Sequence, residues 1–176
     1  MRTFIAVDSN KEVVEELKRI QSKLSNGIFK KTEDYHITLK FLGEKNDNEI
    51  KEIINKLSQI DFKSFELTLD RIGFFPNENF IRVIWVGTKE QEIYELQKKI
   101  DYKLLELRIP IENKFQSHIT IARVKDISNR KAFIESIGNL SVKNLCFKVD
   151  EFKLKKSVLT PKGPMYSDLA VFKLEE

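Results

Sequence analysis

Apolar positions recur along this chain with two periods, one near 3.6 residues and one of two, and they mark helices and strands respectively. RTFIAV, from Arg2, reads as a buried strand. Ser9 and Glu12 then have capping-box spacing, and Val13, Val14, Leu17, Ile20 and Leu24 follow at helical intervals up to Gly27, which is placed to stop the helix. HITLKF, from His36, alternates as a strand, and Gly43 turns the chain toward a second helix over Asp47–Ser58 that buries Ile50, Ile53, Ile54 and Leu57. FELTLDRIGFFP and FIRVIWVG read as two strands joined through PNEN. A third helix is predicted from Thr88, with Gln91 as capping partner and Ile93, Leu96, Ile100, Leu104 and Leu107 inward. A second strand beginning His-Ile-Thr starts at His118. A helix over Ser128–Gly138 and strands near LCFKVDEFKLKKS and DLAVFKLE complete the chain.

That order is a repeat. Each half runs helix, His-Ile-Thr strand, helix, long strand, loop, strand. Glu66, Leu69 and Pro76 overlay Glu151, Leu154 and Pro161 at an offset of 85 residues, and the two histidines repeat at 82. Two independent signals that keep register within three residues predict a duplicated α+β unit.

Composition narrows the class without deciding it. At 176 residues the chain is one compact domain, or two small lobes sharing a core. Its net charge of +4, from 31 basic and 27 acidic residues, leans only mildly toward an anionic partner; most of these charges read as solvated helix faces. The N-terminal apolar run is too short for a signal peptide, and no stretch approaches the roughly 18 apolar residues that span a bilayer. The lone Cys146 excludes an internal disulfide and reads as plain core. A soluble, cytoplasmic protein is expected.

The chemistry lies in the repeat. The chain has two histidines, and both stand in the same local frame. Alternation turns Ile37, Leu39 and Phe41 one way and His36, Thr38 and Lys40 the other; Ile119 and Ile121 oppose His118 and Thr120 likewise. If a pseudo-twofold axis relates the lobes, both His/Thr pairs line a single cleft. Two imidazoles facing one anion suit phosphodiester chemistry, one neutral to take a proton and one charged to give it. Threonine hydroxyls can hold the non-bridging oxygens, and Arg123 offers a permanent, bidentate cation. One His-x-Thr alone would be an incidental surface feature. A metal centre lacks a third histidine and has no carboxylates at ligand spacing beside either one.

These residues resemble the 2H phosphoesterases, a family named for two H-x-T-x motifs, and within it the RNA 2′,3′-cyclic phosphodiesterases, also called 2′-5′ RNA ligases (the LigT or ThpR group). The resemblance covers nearly the whole chain: RTFIAVD, HITLKFLGE (motif His36, Ile37, Thr38, Leu39), RVIWVG, HITIAR (motif His118, Ile119, Thr120, Ile121) and LKKSVLTPKGPMY. It implies an α+β fold over residues 1–176, bilobal and pseudo-twofold, with two intertwined lobes that each carry one motif. Two antiparallel sheets would flank a central cleft, with the helices outside. It implies His36 as general acid, His118 as general base, Thr38, Thr120 and Arg123 on the phosphate, and no metal or other cofactor. The implied activity hydrolyses terminal RNA 2′,3′-cyclic phosphates to 2′-phosphomonoesters, with 2′-5′ ligation at the same site. The implied partner is RNA with such ends, tRNA halves among them, met by a monomer away from any membrane. The alternatives are an esterase for another small cyclic nucleotide and a non-catalytic RNA-end binding module.

Two positions depart from this pattern. Ser117 stands where many relatives have proline, which would loosen the start of that strand. Strict alternation also turns Arg123 away from His118, so a bulge or strand end must bring it back. Tyr35 and Phe115 are candidates for stacking a base or for packing, and Lys155, Lys156 and Lys162 for holding an RNA backbone or for a solvated loop.

Overall fold

The computed structural model describes residues 1–176. The chain runs β1 (Arg2–Asp8), α1 (Lys11–Ser22), β2 (Gly27–Lys31), β3 (His36–Glu44), α2 (Asp47–Leu57), β4 (Phe65–Asn77), β5 (Phe80–Thr88), α3 (Glu92–Leu105), β6 (His118–Ile127), α4 (Arg130–Gly138), β7 (Cys146–Val149), β8 (Glu151–Thr160) and β9 (Gly163–Lys173). The strands lie in the order β7-β4-β5-β6-β3-β1-β8-β9, with β2 also paired to β6.

This order is symmetric about the junction of β6 with β3. Outward on one side stand β6, β5, β4 and β7; outward on the other stand β3, β1, β8 and β9. Counted from β1 and from β5, rather than from the helices, each repeat gives its long closing strand to the other's sheet, so that β4 pairs with β5 and β8 with β1, all antiparallel. The helices cross over too: α1 packs on β6 and α3 on β3. The two antiparallel sheets implied by the resemblance are the halves of one nine-stranded sheet, joined at the centre by a single bridge between Ile37 and Ile119. Inward faces of strands and helices merge in one apolar core that includes Leu17, Ile53, Leu96, Ile121 and Leu154.

Several boundaries differ from the sequence reading. Asn10, not Ser9, caps α1, accepting from the Val13 N–H at 2.9 Å, and the Ser9 N–H is bonded to the Tyr35 carbonyl at 3.0 Å. α1 stops well before Gly27, which instead opens β2, a short strand without the alternation that would reveal it. Thr88 ends β5 rather than starting α3, and Gln91 makes no side-chain cap bond. α4 starts at Arg130 and is capped by Asn129. Cys146 is exposed, since Phe147 and Val149 are the inward residues of β7.

Lys40 brings a charge into the interior of the fold. It is buried and ion-paired with the equally buried Asp101 of α3, and it also donates to the Pro110 carbonyl at 2.6 Å. Asp101 accepts from Gln97 at 2.8 Å and from the Glu112 N–H at 2.9 Å, which ties the segment before β6 to β3. Lys40→Met strands a buried carboxylate and should cost about 3–5 kcal/mol, whereas the double change with Asp101→Leu should recover most of it. Urea unfolding of the two variants checks this; a single-variant loss below about 1 kcal/mol would contradict it.

Candidate active site

The central bridge fixes the geometry of the site. Extending the Ile37–Ile119 register by one residue each way sets His36 across from Thr120 and Thr38 across from His118. The four half-buried side chains thus share one face, at the point where the two repeats meet.

Equivalent bulges shape both strands just beyond. The β1–β3 ladder slips between Ile5 and Ala6, leaving Leu39 without a partner, and the β5–β6 ladder slips between Ile84 and Trp85, leaving Ile121 without one. Each extra residue lies three positions past its histidine and inverts the alternation that follows. Lys40 and Ala122 therefore turn inward, and Phe41 and Arg123 emerge on the histidine face. The bulge needed to turn Arg123 is present, and the charge of Arg123 reaches Tyr166 on β9. For Phe41 and Lys40 the sequence reading fails: the ring is 70% exposed, not core, and Lys40 is buried rather than beside His36 and Thr38. Helices of the opposite repeat hold both bulges from behind. Gln21 of α1 donates to the Ile121 carbonyl at 2.7 Å, while Asp101 of α3 holds Lys40.

The two histidines stand in unlike surroundings. His118 lies in an aromatic box, with Phe75 edge-on at 4.8 Å and Trp85 at 5.9 Å. The strand opposite carries only Gly87 there, and a Cβ on Gly73 would overlap the Trp85 indole. The His118 Nδ1 lies 2.6 Å from the Gln116 carbonyl. A carbonyl only accepts, so Nδ1 carries the hydrogen and the neutral ring has its lone pair on Nε2. Burial pushes His118 below the ordinary imidazole pKa, the Gln116 bond opposes that shift, and the nearby His36 charge adds to it.

His36 sits among charges instead. Its Nδ1 is 3.0 Å from Asp34 Oδ1, with Phe4 at 5.1 Å and the edge of Tyr166 at 5.3 Å. Asp8 faces it from β1. Behind them Lys153 bridges Asp8 at 2.9 Å and Asp168 at 3.1 Å, and Lys155 bridges the same two at 3.0 and 2.9 Å.

Other expectations sort cleanly against these positions. Lys155 is locked between two aspartates and is not free to hold RNA. Lys156 and Lys162 have no ion-pair partner. Tyr35 is buried and donates to Gln21 at 3.2 Å, so it packs. Phe115 meets Tyr94 edge-on at 5.1 Å. Ser117 tightens the start of β6 rather than loosening it: its hydroxyl is 2.6 Å from that of Thr88, and its N–H reaches the Tyr94 hydroxyl at 3.3 Å. Sequence reasoning missed Asp34, Phe41, Trp85 and Tyr166 as site neighbours. Only Asp34 left a local signal, a carboxylate two residues before the histidine. No group of three His, Cys, Asp or Glu side chains is arranged to hold a metal, and no helix is long and apolar enough to cross a membrane.

Known proteins share this architecture. The profile of the LigT-like phosphoesterases matches twice, over residues 7–85 and 86–166. A protein of Archaeoglobus fulgidus named RNA 2′,3′-cyclic phosphodiesterase is 37% identical over 182 residues, covering 98% of this chain and 99% of that one. One of the same name from Thermotoga maritima is 36% identical, covering 96% and 93%. A crystal structure from Thermus thermophilus superposes with a TM-score of 0.85 at 29% identity, over 98% of this chain and 97% of that one. Escherichia coli LigT complexed with 3′-AMP shares the fold, with a TM-score of 0.79 at 24% identity over 99% and 98%.

Proposed function

This chain belongs to the LigT-like phosphoesterase family, and from that premise we propose that it hydrolyses the 2′,3′-cyclic phosphate at the end of an RNA to a 2′-phosphomonoester by acid–base catalysis from His36 and His118. The observation that carries this reading is the meeting of two imidazoles at one point of register in opposite environments, one apolar and one ionic.

His118, kept neutral by burial and with its lone pair on Nε2, takes a proton from water as the oxygen attacks phosphorus. The phosphorus–O3′ bond breaks, and His36 delivers a proton to the departing 3′-oxygen. Thr38, Thr120 and Arg123 bind the non-bridging oxygens, where charge builds in the transition state. Phe41 and Arg123 hold matching positions in the two repeats, so the exposed ring gives a platform for the terminal base opposite the cation for the phosphate. With a 5′-hydroxyl in place of water, the same steps form a 2′-5′ linkage. The strained cyclic phosphate is already activated, so neither direction needs a nucleotide cofactor, and the donor set gives a metal no seat. The enzyme works as a monomer in the cytoplasm, with tRNA halves among its substrates. A non-catalytic RNA-end module is the weaker reading, because binding an anion calls for fixed cations and not for an imidazole held neutral.

The test is product identity. In EDTA and without ATP or GTP, an oligonucleotide ending in a 2′,3′-cyclic phosphate should yield only the 2′-phosphomonoester, read by phosphorus NMR. A 3′-phosphate product, or activity abolished by EDTA and restored by a divalent ion, would overturn the reading.

A further inference from the structure

Each histidine has its Nδ1 held by the residue two positions before it, but the repeats do this with different groups. In the second repeat the holder is the main-chain carbonyl of Gln116; in the first it is the side-chain carboxylate of Asp34. A carbonyl orients a ring without adding net charge, whereas a carboxylate also favours the imidazolium. The other groups facing His36 do not supply that bias. Asp8 and Asp168 are each matched by the ammonium groups of both Lys153 and Lys155, two anions against two cations. Glu151, which also touches Lys153, is paired at 2.5 Å with Lys173. Tyr166 presents a phenol that burial keeps protonated, and Arg2, Arg123 and His118 add only positive or neutral charge. No lysine or arginine lies within ion-pair distance of Asp34; its one ion-pair contact is His36, which with the more distant charge of Lys155 holds its carboxyl below the usual range.

We infer that Asp34 is the positioning residue that makes this near-symmetric site run in one direction, because its carboxylate holds the His36 Nδ1 and stabilises the proton that His36 has to donate, whereas the neutral Gln116 carbonyl only orients His118 as the base. This rests on the hydrolytic reading above. Asp34 touches no reacting atom; it acts through His36.

Asp34→Asn isolates the charge, since the amide keeps an oxygen that can accept from Nδ1. The Asp34 side chain is 42% exposed, so solvent moderates its effect. Single-turnover hydrolysis of a cyclic-phosphate-ended oligonucleotide across the pH range should show the alkaline limb moved to lower pH in Asp34→Asn. At alkaline pH the rate should fall about 10-fold, with a loss under about 2-fold on the acid side and KM unchanged. Asp34→Ala, which also removes the acceptor, should add a loss at every pH. An Asp34→Asn profile that overlays the wild type, or one lowered equally at all pH values, would overturn the inference while leaving the hydrolytic activity established. A wild-type protein without activity on this substrate would instead defeat the functional reading beneath it.

Discussion

Replacing His118 by alanine should lower kcat/KM on a cyclic-phosphate-ended oligonucleotide by about two to four orders of magnitude, and His36→Ala should do the same. Neither imidazole is needed for the fold: His36 sits on the cleft face, and His118 contributes one edge of an aromatic box otherwise closed by Phe75 and Trp85. Far-ultraviolet dichroism and the melting temperature should therefore stay close to wild type. The wild-type rate should be bell-shaped in pH, because one ring must be neutral while the other is charged, and its limbs belong to the coupled pair. Burial holds His118 below the ordinary imidazole range, which moves the acid side of the pair's joint profile to lower pH. A folded alanine variant of either histidine with full activity would remove that residue from the chemistry.

The parts of the site legible in the sequence were those set by repetition and by simple alternation. His36, Thr38, His118 and Thr120 each lie within three residues of the start of a strand, before any bulge, so period-two reasoning placed them on one face. Past Leu39 and Ile121 that reasoning fails. A bulge is decided by the partner strand and by what waits behind it, here Asp101 for Lys40 and Gln21 for the Ile121 carbonyl, partners 61 and 100 residues away along the chain. Phe41 therefore looked like core, and Arg123 needed an irregularity to be useful. β2 was invisible for a related reason: its residues are half-buried or exposed and its pairing is entirely with β6. The exchange of β4 and β8 between repeats likewise leaves no mark in local periodicity, although it builds the two unlike walls. β8 brings Lys153 and Lys155 to Asp8, the residue opposite His36, and β4 brings Phe75 beside His118 and Gly73 against Trp85.

The second large effect separates the two proton transfers. A ribose 3′-oxygen leaves poorly as an alkoxide and needs a proton in the transition state, whereas a thiolate is stable enough to leave without one. With sulfur at the 3′ position of the cyclic ester, the acid becomes dispensable and the base does not. His36→Ala should then regain most of its lost rate, on the order of 100-fold relative to its rate on the oxygen substrate, while His118→Ala should gain little. The unlike walls underlie this asymmetry: the apolar box favours a neutral His118, and the Asp34 carboxylate lies 3.0 Å from the His36 Nδ1.

The decisive measurement is the single-turnover rate of both alanine variants on the 3′-oxygen and 3′-sulfur substrates, side by side at one pH. Sulfur should rescue His36→Ala alone. Rescue in His118→Ala alone would exchange the acid and base, and equal rescue or none in both would show that neither histidine transfers a proton in the step observed.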